Sequence, residues 1–308
     1  MKEFLDFDSG KISWFRCGGK IAVFCVVENL SELKQVVEKY PQYSNNILPI
    51  GAGSNILIRD TGFKGLAIKL AGDFNKIEIN KIEINEGKTE KTEKEKVFLS
   101  AGASVFDKQI VSFAINNNLV GCEFLSTIPG TIGGAIKMNA GCFDCEIKDI
   151  LSSVQVLINN EIKTLTNKDL NFSYRKSSLP ENDVILNATF ALTKGTKEQI
   201  EESKQKIKEM QKYRDENQIV GATCGSTFKN PINPEDGTKI SVWKLIDEVG
   251  LRGYKIGGAK FSEKHCNFIV NTGNATATDI ENLVSIAKQK VKEKFNIDLE
   301  TEIKIIGN

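Results

Sequence analysis

The sequence predicts an α+β or mixed α/β protein, and three observations carry that prediction. Apolar runs rich in β-formers are interspersed with segments of helical periodicity, two glycine-rich loops punctuate the earlier part, and a charged, weakly apolar stretch precedes the last third. Such a mixture is what a sheet needs when helices cover its apolar face.

Taken in order, Leu30, Leu33, Val36, Val37 and Tyr40 recur at helical spacing, with Asn29 and Glu32 placed as an N-terminal capping pair. The runs at 47–50 (ILPI), 66–70 (LAIKL), 97–101 (VFLSA), 154–158 (VQVLI), 184–192 (VILNATFAL) and 267–271 (NFIVN) are bounded by Gly, Asn or Pro and read as strands. A helix begins near Ser104, with Phe106, Ile110, Phe113 and Ala114 on one face, and fades into the Asn tract at 116–118. Residues 195–218 read as a charged connector helix. A further helix runs from Thr278, with Glu281 as its capping partner, through Leu283, Val284, Ala287 and Val291 towards Phe295. LETEIKIIG, at 299–307, reads as a final strand.

Residues 75–84 repeat NKIEI and residues 88–93 repeat KTE, within a span of six Lys and six Glu from Asn75 to Lys96. One five-residue copy cannot form a stackable unit. The segment is expected to be a solvated hairpin, a surface insertion projecting away from any active site.

Forty-one Lys and Arg against forty Asp and Glu give a net charge of +1, so no global field recruits nucleic acid or an anionic membrane. The N-terminus lacks a signal-peptide pattern and no run of about 18 apolar residues occurs, so a cytoplasmic protein is expected. Seven scattered cysteines suit reduced thiols. Cys142 and Cys145 have redox-motif spacing, but with no second pair for zinc and no thioredoxin-like surroundings they read as two incidental thiols. A single histidine, His265, excludes a multi-His metal site or a His-based triad, and a structural role suits it. Trp14 and Trp243 are expected in the core, and Tyr254 in a packed loop.

LPIGAGSN at 48–55 supplies Gly51 and Gly53 but neither a third glycine nor a following helix, so it is no Rossmann fingerprint. A loop between strands can still hold phosphate, since glycine lets backbone N–H groups converge while Ser54 and Asn55 donate from side chains. The stretch STIPGTIGGAIKMNAGCF at 126–143 has a similar composition. A turn between packed elements could need so many small residues, but two such loops in one chain suggest a long ligand with a pyrophosphate. Arg16 stands beside a further Gly pair, Gly18 and Gly19.

RCGG at 16–19, LPIGAGSN, IPGTIGGAIKMNAG, SYRKS at 173–177, CGSTFKNP at 224–231, SEKHCNFIVN at 262–271 and LETEIKIIG occur in family order. The chain thereby resembles the UDP-N-acetylenolpyruvoylglucosamine reductases over nearly its whole length, in the shorter subtype without an additional substrate-gripping Tyr loop. The resemblance implies a two-part FAD-binding fold of the vanillyl-alcohol-oxidase type, with subdomains at 1–71 and 72–210. A separate α/β substrate-binding domain would follow at 211–298, and a C-terminal strand at 299–308 would carry a catalytic Glu. It further implies FAD as cofactor, NADPH as electron donor, and a nucleotide-sugar substrate whose enolpyruvyl ether is reduced for peptidoglycan synthesis. A monomer is expected.

By position, Gly51, Gly53, Ser54, Asn55, Pro129, Gly130, Thr131 and Gly133 would line FAD, with Arg16 beside them. Arg175 would stabilise charge growing on the substrate carboxylate, Ser226 would protonate the α-carbon, and Glu302 would act as a protonated carboxyl against that carboxylate. Asn230, Lys229 and Arg214 would meet the nucleotide sugar or its diphosphate. An FAD-dependent oxidase or dehydrogenase of a hydroxy acid or alcohol is the competing reading, and a flavin-binding protein without turnover is another.

Overall fold

The structure is a computed structural model that describes residues 1–83, 95–217, 219, 221–233 and 237–307. It divides into two compact units, neither of them a single stretch of chain. Strands Lys2–Asp8, Lys20–Val27, Phe63–Leu70 and Ile47–Pro49 form a four-stranded sheet in that order. Ile47–Pro49 runs parallel to its neighbour, with Leu48 opposite Ala67.

The first unit comprises 1–3, 24–52 and 66–214. Its main sheet runs in the order Glu161–Thr166, Leu151–Ile158, Val184–Lys194, Lys96–Gly102, Ile77–Glu83. Along the central strand Leu186, Ala188, Phe190 and Leu192 are buried, while Asn187, Thr189 and Ala191 between them are half-buried. This period of two points one face at the core, where Leu99, Ile110, Ile132, Ile136 and Phe190 meet. The helix Asp107–Asn116 places Ile110 and Ala114 on that core, and the Gln109 side chain accepts from the Phe106 N–H at its start (2.9 Å). The helix Leu30–Lys39 is capped as expected by Asn29, which accepts from the Glu32 N–H at 2.9 Å. Glu32 itself reaches one residue further back, to the Glu28 N–H.

The limbs of the charged hairpin are present, with Ile77 opposite Ala101 and Glu83 opposite Lys96. Residues 84–94 of the duplication lie outside the described residues. The connector is the helix Lys197–Asn217, whose Ser203 hydroxyl donates to the buried Glu123 carboxylate.

The second unit comprises 4–23, 53–65 and 215–308. A three-stranded antiparallel sheet, Lys255–Ile256, Ala259–Phe261 and Ile269–Asn271, shares one core with the helix Ala277–Phe295. That helix starts earlier than its sequence pattern predicts. Thr276, in extended backbone, is the cap and exchanges bonds with Asp279, whereas the Thr278 hydroxyl turns to Asp60 at 2.7 Å. Asp60 also accepts from the N–H groups of Ala277 (3.0 Å) and Thr278 (2.8 Å), while Arg59 pairs with Glu281 at 2.9 Å. The final strand is shorter than expected. Only Lys304–Ile306 is a strand, parallel to Ile56–Ile58, and Glu302 lies in the bend before it. Trp14 and Tyr254 are each 42% exposed rather than packed, whereas Trp243 packs against the core. Trp14 is held through its backbone, its N–H donating to the Gly53 carbonyl at 3.0 Å. Among the described residues, no helix is long and apolar enough to cross a membrane.

Burial opposes ionisation of Asp60, but the Thr278 hydroxyl and the two helix N–H groups win and hold its carboxyl below the usual range. A depressed folded pKa stabilises at neutral pH and the benefit fades as pH falls below about 4. Replacing Asp60 by Ala should cost about 1 kcal/mol in urea unfolding at pH 7 and less at pH 3. Asp60→Asn, which keeps the acceptor, should lose less; an Ala variant with unchanged midpoint at pH 7 contradicts the cap.

Candidate active site

Glycines in both loops sit too close to neighbouring atoms to carry a side chain. In the first unit, a Cβ on Gly51 would lie 2.3 Å from Thr131 Oγ1, and one on Gly130 would lie 2.6 Å from Asp107 Oδ2. Residues 130–133 run alongside 103–107: Asp107 N–H donates to Gly130 O (3.1 Å), Ile132 N–H to Val105 O (2.9 Å) and Gly133 N–H to Ala103 O (3.0 Å). Pro129 precedes this ladder and Thr131 lies within it, opposite Phe106.

Around that ladder several buried oxygens have no hydrogen-bond partner: Ser104 Oγ, both carboxylate oxygens of Asp107, Ser126 Oγ and Thr131 Oγ1. Burial raises the Asp107 carboxyl well above the usual carboxylate range, which favours its protonated, donor form. Native interiors rarely leave such groups orphaned, and a cluster of them in one loop system calls for a polar ligand. A dinucleotide's pyrophosphate and ribitol fit this donor set. Asp107, Ser104 and Ser126 escaped the sequence reading because an acid in a helix's first turn and serines near glycines are commonplace.

Arg175 sits at a corner. Ser173 and Lys176 exchange backbone bonds of 3.0 and 3.1 Å, leaving Tyr174 and Arg175 as the turn. Arg175 has φ +55°, in the left-handed region that L side chains seldom adopt. Its Nη2 donates to Gly141 O at 2.8 Å and the guanidinium stacks on Tyr174, 5.1 Å from the ring centre. The fully buried Asn139, also left-handed at φ +41°, secures this corner by donating to Ser173 O and Glu146 Oε2 at 3.0 Å each. Arg214 lies half-buried near the end of the helix Lys197–Asn217.

The second unit holds the remaining candidates. Gly53, at φ +72°, has no room for a Cβ, which would stand 1.9 Å from Ile12 O. Ser54 is half-buried, and Arg16 is exposed with φ +55°. Asn55 is bound at both ends to the C-terminal segment: its Nδ2 donates to Glu302 O and its carbonyl accepts from Lys304 N–H, each at 3.0 Å.

Residues 226–229 form an irregular strand between two neighbours. On one side Ser226 bridges Phe268 and Thr227 N–H donates to Asn267 O at 2.7 Å; on the other, Thr227 O accepts from Glu302 N–H at 2.8 Å and Phe228 bridges Thr301. Ser226 and Glu302 are thereby brought to adjacent rungs. Lys229 and Asn230 are already engaged within the protein: the Lys229 ammonium pairs with Glu300 at 2.6 Å, and Asn230 Oδ1 accepts from Val242 N–H, capping the helix Val242–Glu248. His265 has the structural role expected. Its Nδ1 accepts from Asn267 N–H at 3.3 Å, its ring packs edge-on against Phe268, and burial lowers its pKa.

Residues 21–162 match the family model of an FAD binding domain, and residues 215–306 match the C-terminal domain of UDP-N-acetylenolpyruvoylglucosamine reductase. Together with the orphaned cradle, this defines the chain as an FAD-dependent oxidoreductase. The chain is 40% identical to the UDP-N-acetylenolpyruvoylglucosamine reductase of Pelagibacter ubique over 98% of its length and 93% of the relative's. It is 39% identical to that of Rickettsia massiliae, covering 98% and 95%. The crystal structure of the Thermus caldophilus reductase superposes with a TM-score of 0.77 at 30% identity, covering 99% of this chain and 98% of that one. The chain belongs to the UDP-N-acetylenolpyruvoylglucosamine reductase family.

The orphaned Thr131 hydroxyl gives a test. Thr131→Val keeps the volume and removes a group unsatisfied in the apoprotein. Apoprotein stability should hold or rise, while FAD affinity, followed by flavin fluorescence, should fall on the order of 10-fold, about 1.4 kcal/mol. A destabilised apoprotein with unchanged affinity would assign Thr131 to folding alone.

Proposed function

We propose that this chain reduces UDP-N-acetylglucosamine enolpyruvate to UDP-N-acetylmuramate, a peptidoglycan precursor, with NADPH as electron donor and FAD as resident cofactor. The observation that carries the reading is the match to reductases along essentially the whole chain, both domains included. An alcohol or hydroxy-acid oxidase accounts for the flavin half alone. Bound FAD supplies the chemistry of hydride exchange between NADPH and the enolpyruvyl double bond.

The chain's own residues do the rest. Gly51, Gly53, Ser54, Asn55, Pro129, Gly130, Thr131 and Gly133 hold the dinucleotide, with Arg16 at its edge. Arg175 meets the substrate carboxylate, where a planar fork stabilises charge that grows in the transition state. The turn that sets Arg175 at positive φ keeps that fork in place. Ser226 delivers the proton to the α-carbon. A Ser hydroxyl is a weak acid, so its proton has to be resupplied through a neighbouring group or water. Glu302, one rung away along the backbone ladder, acts protonated against the substrate carboxylate. Asn230, Lys229 and Arg214 serve the nucleotide sugar, which requires Lys229 to exchange Glu300 for phosphate. The functional division remains FAD binding at 1–71 and 72–210, substrate binding at 211–298, and the C-terminal segment 299–308, in a cytoplasmic monomer.

Anaerobic NADPH should bleach the bound flavin, and UDP-N-acetylglucosamine enolpyruvate should restore its colour. No reoxidation at saturating substrate would reject the assignment. Arg175→Lys keeps the charge and loses the fork, so stopped-flow absorbance should show reoxidation slowed on the order of 10²-fold with bleaching unchanged. Equal damage to both steps removes the role given to Arg175. Ser226→Ala should leave FAD binding intact and suppress product formation, and normal turnover excludes Ser226 as the acid.

A further inference from the structure

The second glycine loop ends in a hairpin that the proposed reaction does not use. Cys142 lies opposite Cys145 and Gly141 opposite Glu146 in a two-stranded antiparallel ladder, joined by Phe143 and Asp144 at φ +52° and +60°. Two consecutive left-handed residues make the tight turn whose twist suits a two-residue hairpin. Directly opposed residues project to the same face with Cα atoms about 4.5–5.5 Å apart. A disulfide accepts Cα separations of about 4.4–6.8 Å.

The other thiols are shielded. Cys17, Cys25, Cys122, Cys224 and Cys266 are buried, whereas Cys142 and Cys145 are half-buried. Burial pushes the Cys17 and Cys224 thiols up to about 12 and Cys25 up to about 11, which suppresses the reactive thiolate. Burial also raises Cys145, which suits the second, resolving sulfur rather than the first thiol to meet the oxidant. The Cys142 thiol donates to Phe124 O at 3.3 Å and lies 3.5 Å from Thr127 Oγ1.

We propose that Cys142 and Cys145 form a reversible intramolecular disulfide, an oxidative modification site on the hairpin that anchors Arg175. With a hydroperoxide as oxidant, one thiolate attacks the terminal oxygen, the O–O bond breaks, and the leaving oxygen departs protonated. The second sulfur attacks the resulting sulfenic sulfur, the S–O bond breaks, and water leaves. Two thiols lose two electrons and two protons, and the peroxide oxygens are reduced. A dithiol reverses the bond by exchange.

The consequence follows from contacts. Gly141 O, the acceptor of Arg175 Nη2, is one residue from Cys142, and Glu146, which accepts from Asn139, is one residue from Cys145. Closing the S–S bond releases the Cys142 thiol from Phe124 and turns its side chain towards Cys145, shifting the adjoining Gly141 carbonyl and with it the guanidinium. This coupling rests on the role proposed for Arg175; the disulfide does not.

The test uses full-length, FAD-loaded protein exposed to hydrogen peroxide, then denatured and alkylated with iodoacetamide. The peptide carrying both cysteines should resist alkylation, weigh about 2 Da less, and recover with dithiothreitol. Cys145→Ser should abolish that mass change while keeping the turnover of untreated protein, and Cys142→Ser checks it independently. Both thiols alkylated, a different pair linked, or Cys142 driven irreversibly to sulfinic acid overturns the disulfide. In oxidised wild type, reoxidation by substrate should slow several-fold with NADPH bleaching unchanged, and Cys145→Ser should be protected. A mapped disulfide with unchanged reoxidation overturns the coupling to Arg175.

Discussion

The absence of a side chain at Gly53 is the constraint from which the second unit's site is built. A Cβ there would strike Ile12 O, and the left-handed φ is open to few other residues. The Gly53 carbonyl takes the Trp14 N–H, which fixes the loop before the strand Ile56–Ile58. Asn55 then grips Glu302 O and Lys304 N–H, and Ile56–Ile58 pairs with Lys304–Ile306. The placement of Glu302 follows from the same loop that reads as a cofactor cradle. A substitution at Gly53 therefore reaches the carboxyl as well as the loop, although the two lie far apart in the chain.

The first unit answers a different cost. Each buried, unpartnered polar group forfeits about 1–3 kcal/mol, and Asp107, Ser126 and Thr131 carry that penalty within one loop system. The contrast with Glu123 is informative. That buried carboxylate takes the Ser203 hydroxyl and the Gly121 N–H, as a structural acid should. Arg175 adds backbone strain of order 1–3 kcal/mol, whereas Asn139 takes the left-handed region that asparagine tolerates. Within the first unit, the unmet polarity of the loop system at 104–131 stands beside a well-satisfied acid, Glu123, and marks a place shaped by a ligand rather than by folding.

Legibility in the sequence divides along the same line. The strand Val184–Lys194 was readable because one core lies against one face of it, and Asn29 was readable as a cap because its bond is local. Glu161–Thr166 was missed because it is a largely exposed strand whose two apolar residues, Ile162 and Leu165, do not alternate with period two. The sequence pattern points to Thr278 as the cap, but Asp60, more than two hundred residues away, binds Thr278, and Thr276 caps the helix with Asp279 instead. Lys229 and Asn230 looked available for substrate because Glu300 and Val242 are remote in the chain. Gly51, Gly53, Gly130 and Gly133 were recognisable as loops, but the order of motifs, and no spacing within them, supplied their function. The Cys142–Cys145 register was invisible because Phe-Asp is not a turn sequence that announces a hairpin.

The lone histidine shows how the second unit handles protons. Burial keeps His265 below its usual pKa, and its Nδ1 accepts from the Asn267 N–H, so it is neutral and its acceptor nitrogen is occupied. Asn267 in turn accepts from Phe228 N–H at 3.0 Å and donates to Phe228 O at 2.9 Å. The imidazole thus braces the segment that braces residues 226–229. Backbone bonds fix both flanks of that strand, and the Asn267 side chain reinforces them next to Ser226. In the role proposed for Ser226, proton delivery at the α-carbon rests on a hydroxyl whose backbone is held by this ladder, with His265 contributing position alone.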